Sequence, residues 1–130
     1  MQRRRIVVLC AAAACAGAAA LAGPLPAGVW GSAQGNFTVY ADSATLDMPC
    51  AAGRILSPII TDSNGAFDIA GFYAPQVGPV SINGPAWQPA RFVAKRSGDE
   101  LSLTIVRAGG DSIGSLKFHR GTPGQFPRCL

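Results

Sequence analysis

The stretch "ELSLTIV" constrains the chain most: Leu101, Leu103 and Ile105 alternate with Ser102 and Thr104. Successive side chains of an extended strand point to opposite faces, so this segment is a strand with one dry face and one wet face. The same period of two returns in "NFTVY" (Phe37, Val39), "TLDMPC" (Leu46, Met48, Cys50), "AFDIAGFY" (Phe67, Ile69, Gly71, Tyr73), "ARFVAKR" (Ala90, Phe92, Ala94) and "SIGSLKFHR" (Gly114, Leu116, Phe118). After Gly23 no segment repeats apolar residues at helical spacing for three turns. Turn signals separate the runs: Ala41-Asp42-Ser43, Asp62-Ser63-Asn64-Gly65, Ser97-Gly98-Asp99 and Ala108-Gly109-Gly110-Asp111. Asn64-Gly65 suits a type I′ turn, whose two central residues both need positive φ. With residues 55–60 as a further strand interrupted by Pro58, the expectation is an all-β antiparallel meander of about seven or eight strands. Such a number favours a small closed barrel, which leaves no exposed edges. Pro58, which lacks an N–H, predicts an irregular strand or a gap beside it.

The amino-terminal segment has a different character. Arg3, Arg4 and Arg5 precede an apolar run that passes into small residues, the layout of a secretory signal peptide, with Ala20-Leu21-Ala22 as the cleavage site. The expected organisation is therefore a signal peptide at 1–22 and a single β-barrel domain at 23–130, secreted or periplasmic. The alternative is a lipoprotein anchored through Cys15. No membrane span is expected, because the apolar run is short. Three of the eleven Lys and Arg residues leave with the leader while all seven acids stay, so the remaining balance is +1. This removes the basic surplus that nucleic-acid binding would need.

Two cysteines remain after cleavage, Cys50 and Cys129. A prenylation box needs its cysteine four residues from the end, and Cys129 is second from last. Two cysteines and the single His119 also fall short of a four-ligand zinc set. In an oxidising compartment the pair is expected to form a disulfide tying the tail to the body. No cofactor or metal is expected. His119 faces outward without a catalytic partner in sequence, and the aspartates of the turns serve the local backbone, so no enzymatic constellation emerges.

"GVWGS", Gly28 to Ser32, opens the first strand with a Gly-x-Trp pattern that resembles the calycin barrels, lipocalins and avidins. That resemblance implies that Trp30 closes one end under a basic residue of the last strand, here Arg120. "GVWG", "DMPCAAGRI", "GPV", "PARF", "LSLTIV" and the terminal "RCL" are together similar to an uncharacterised family of small exported bacterial proteins, which implies no activity. Two functions are weighed. In the first, Trp30, Phe37, Phe67, Phe92, Leu103 and Phe118 line an interior that binds a small apolar ligand. In the second, the Pro-rich segment 74–90, with Trp87 as its contact residue, engages another exported protein in the manner of a protease-inhibitor-like barrel. Oligomeric state is not legible.

Overall fold

The computed structural model describes residues 22–76 and 82–127. The expected leader up to residue 21, Cys15 and Cys129 lie outside the described residues, as do residues 77–81 of the Pro-rich segment. Eight antiparallel strands close into a barrel. In chain order the strands are β1 (Gly23–Pro24), β2 (Gly28–Ser32), β3 (Gly35–Val39), β4 (Ala44–Met48), β5 (Ala51–Ile55), β6 (Ile60–Thr61), β7 (Ala66–Pro75), β8 (Gln88–Ser97), β9 (Glu100–Arg107) and β10 (Ser112–Arg120). The barrel runs β10-β2-β3-β4-β5-β7-β8-β9, and β1 pairs with β6 as a separate two-stranded ribbon. Among the described residues there is no helix.

Alternation sets which side chains point inward. Phe37 and Val39 of β3, Ala44 and Leu46 of β4, and Leu101, Leu103 and Ile105 of β9 are all buried, and the residues between them are not. The register places Trp30 beside Phe37, Phe37 beside Leu46, and Leu46 beside Gly53, so one ring of the core passes across four strands. Leu25 and Ile59 are buried as well, and the Leu25 N–H donates to the Ile59 carbonyl at 2.9 Å, which brings the β1–β6 ribbon into the same core.

Several local expectations are corrected. β4 ends at Met48, and Pro49 and Cys50 form the turn into β5, so Cys50 is exposed rather than inward. The proline breaks the alternation by removing a ladder donor. Residues 55–60 are not one strand: β5 stops at Ile55, and the chain leaves the barrel wall through Pro58. Gly65 alone supplies positive φ at its turn (+78°), while Asn64 stays negative. Asp62 explains why: its Oδ1 accepts the N–H groups of Asn64 (2.8 Å) and Ala66 (3.0 Å), and its carbonyl accepts from Gly65. This is a wider turn with a single left-handed glycine, not type I′. Gly114 is exposed, not inward, because the β9–β10 register shifts between Ile113 and Leu116 and a bulge takes up the extra residue.

Candidate functional site

The expected ligand-lining residues are gathered in one cluster. Trp30, Phe37, Phe92, Leu103 and Phe118 are 0% exposed and Phe67 is 7% exposed. They pack as a continuous core, with the Phe37 and Phe118 rings 6.3 Å apart and tilted by 35°. Phe92 of β8 lies over the inner face of the next two strands of the wall, β7 and β5. A methyl group added at Gly53 would meet its ring at 3.0 Å, and one added at Gly71 would meet it at 2.7 Å. Both glycines face inward on β5 and β7, so the space their side chains would take is given to the Phe92 ring.

Trp30 is fully buried, and its indole N–H donates to the Pro26 carbonyl at 3.2 Å. The cation over it is a different one. Arg96 of β8 lies 5.9 Å from the Trp30 ring, whereas Arg120 is exposed although it pairs in register with Trp30. Arg96 is carried inward on its strand two residues after Ala94, and its Nε is held by the Gly98 carbonyl at 2.7 Å.

The outer wall bears the unexpected features. Trp87, at the end of the Pro-rich segment, stacks on the Arg54 guanidinium at 4.4 Å, and Phe72 lies 5.4 Å from the same group. Arg54 and Phe72 are cross-strand partners on β5 and β7, which is why one cation serves both rings. The Arg54 Nε is buried and has no hydrogen-bond partner among the described residues. Beside this stack runs an open groove of about 620 Å³, floored by Ala70, Phe72, Pro89 and Val106 and bordered by Leu56. A second hollow of about 490 Å³ lies between Ile60–Asp62 and Ala66–Asp68.

Asp68 and Arg91 form an exposed two-point pair between the two hollows. Arg91 Nε donates to Asp68 Oδ1 at 3.1 Å, and Nη2 donates to Oδ2. The hydrogen bond from Arg91 holds the Asp68 carboxyl below the usual carboxylate range, and Asp68 in turn raises the Arg91 guanidinium. At the far end of the groove Arg107 lies 5.3 Å from the Tyr73 ring, and burial pushes the Tyr73 hydroxyl above its ordinary value. His119 is exposed, 3.5 Å from a Glu100 oxygen. Among the described residues no group of three or more His, Cys, Asp or Glu side chains is placed to hold a metal.

Sequence reasoning found Trp87 but not Arg54, Arg91 or Arg107. Each cation is defined by the strand across from it, and a single strand's alternation carries no information about its neighbour. No family model, curated protein or solved structure matches the chain.

Proposed function

We propose that this protein is a non-enzymatic, exported β-barrel of calycin-like architecture that binds another protein through its outer wall and Pro-rich segment. The carrying observation is the placement of Phe92 on Gly53 and Gly71. The six aromatic and aliphatic residues expected to line a ligand chamber belong to one buried cluster, with the Phe37 and Phe118 rings together and Phe92 lying over two inward glycines, which supports a packed interior and the outer surface as the working face. That surface is suited to contact. Ile82, in the Pro-rich segment, is fully exposed, and Trp87 is held against Arg54 beside an apolar groove. Aromatic residues and arginines with an apolar floor are the composition that interface centres favour. The leader supports export, and the exported chain acts in the periplasm or outside the cell.

Native mass spectrometry of the protein purified from its source separates this reading from the ligand-carrier one. The expected result is a stoichiometric protein complex that Ile82→Asp and Trp87→Ala each dissociate. A small apolar molecule released on denaturation, with no protein partner, would overturn the reading.

A further inference from the structure

The barrel is closed, but the β5–β7 seam is paired over only part of β7. Only Ala51–Arg54 of β5 pair with β7, on the stretch Phe72–Pro75, while β7 itself begins at Ala66. The missing partner has been drawn elsewhere. Pro58 has no N–H to offer, the Ile59 side chain is buried in the core, and the Ile59 carbonyl accepts from Leu25. Ile60 and Thr61 then pair with Pro24 and Gly23 of β1 instead of β7.

Backbone direction identifies what is left open. The Ala66 N–H donates to Asp62 Oδ1 at 3.0 Å and the Ala66 carbonyl accepts from the Asp62 N–H at 2.9 Å, so both polar groups of Ala66 point to the 56–62 side. Along a strand this direction repeats at every second residue. Asp68, Ala70 and Phe72 therefore point the same way, and Phe72 meets Arg54. On that side residues 56–62 run alongside without pairing, and among the described residues no backbone hydrogen bond joins them to Asp68 or Ala70. The two hollows flank this edge, one at Ile60–Asp62 and Ala66–Asp68, the other at Leu56, Ser57 and Ala70–Phe72.

We propose that the β7 edge at Asp68–Ala70 is a strand-addition site that takes an extended, uncharged segment of a partner protein. This rests on the protein-binding reading above and names the site and the form of the partner. A row of backbone donors and acceptors is matched by another extended backbone, whereas an acyl chain would bury those groups without partners. Asp68 and Arg91 already neutralise each other on the outer face, so the incoming segment needs no charge there. Its residue opposite Ile69 points inward, as Ile69 does toward the core, and is small and apolar. The other half-open edge is blunted. β10 pairs with β2 only at His119 and Arg120, but its free part carries the bulge, and its Lys117 N–H is capped by Gln34 Oε1 at 3.1 Å.

Amide exchange and NMR shifts on the full chain, expressed with export, test the site. In the free protein the Asp68 and Ala70 amides exchange at least tenfold faster than those of Phe67 and Ile69, which face β8. The probes are blocked pentapeptides of alternating Thr and Val, each with a counterpart N-methylated at every second residue. The expected result is protection of Asp68 and Ala70 on adding the unmethylated peptide, with shifts confined to 56–62 and 66–72. N-methylation of the facing positions abolishes it, as does Ala70→Arg, which puts a bulky cation at an exposed position without disturbing the core. Equal protection of all four amides in the free protein would overturn the site, and so would absence of shifts at millimolar peptide. Peptide shifts centred on Trp87 and Ile82 instead would overturn the site while leaving the protein-binding reading intact. A co-purifying apolar molecule that shifts Phe92 and Leu103 would overturn both.

Discussion

Phe92 and the two glycines beneath it form a tight constraint in the core. A β-carbon at Gly71 would lie 2.7 Å from the Phe92 ring and 2.6 Å from the Arg54 carbonyl, and the second contact is with backbone that cannot swing aside. Gly71→Ala is therefore expected to destabilise the fold by about 1–3 kcal/mol, the usual cost of overpacking, read as a lower urea midpoint. In a Phe92→Leu background the ring term is gone and the carbonyl term stays, so the same substitution costs less but not nothing. A double-mutant cycle gives that difference as the coupling. The Asp68–Arg91 pair makes a prediction in pH. Because the folded-state pKa of Asp68 is lowered, the pair's contribution is present above the ordinary carboxylate value near 3.9 and is lost as pH falls through the lower folded value. The thermal midpoints of wild type and Asp68→Asn should differ at pH 6 and converge near pH 2. The side chains are 58% and 48% exposed, so the difference is small and shrinks further in high salt.

Among the elements, the strands with one apolar face were legible from their residues because burial is written on alternate positions: Leu101, Leu103 and Ile105 could face only one way. The burial of Trp30 was legible for the same reason, since it is the one large apolar side chain of its strand. Partnerships between elements were not. That Arg54 would lie opposite Phe72 and under Trp87 depends on β5 pairing with β7 and not with β6, and this is decided by where β1 lands. The end of β4 at Met48 and the bulge at Gly114 were missed because alternation continues on paper through Pro49-Cys50 and through Gly114, while the ladder does not. The tail after β10 was also silent, yet it is held by a specific clamp. Asn36 Oδ1 accepts the Gly124 N–H at 2.6 Å and Asn36 Nδ2 donates to the Gly124 carbonyl at 3.2 Å. Asn36→Ala removes both bonds, so the Gly124 amide should lose its exchange protection while the strand amides of β3 keep theirs. Global stability should fall by about 1 kcal/mol, in keeping with the net worth of hydrogen bonds. Unchanged exchange at Gly124 would show that the tail is held by something else.

At the scale of the molecule, the clamp gives the proposed disulfide a route. The tail leaves β10 with the Gly121 N–H on the Val29 carbonyl and reaches Asn36 at Gly124. Val29 pairs with Thr38 and Gly31 pairs with Asn36, so the tail is travelling toward the barrel end that carries the β4–β5 turn. Asn36 pairs with Asp47, and Cys50 stands three residues beyond Asp47. The separation to be covered is about 5 Å across one strand spacing and about 10 Å along the strand. The five residues from Gly124 to Cys129 span up to about 17 Å when extended, enough to bring the two α-carbons within the range of roughly 4.4–6.8 Å that a disulfide requires. Cys50 is exposed on its turn. Peptide mapping of the exported protein without reductant should therefore recover Cys50 linked to Cys129. Constraining a loop of nearly eighty residues in the unfolded chain is worth on the order of 4 kcal/mol, so reduction or Cys50→Ser should lower the urea midpoint by a corresponding amount without changing the circular dichroism of the barrel. Two thiols titratable in the exported, unfolded protein would show that no such bond forms.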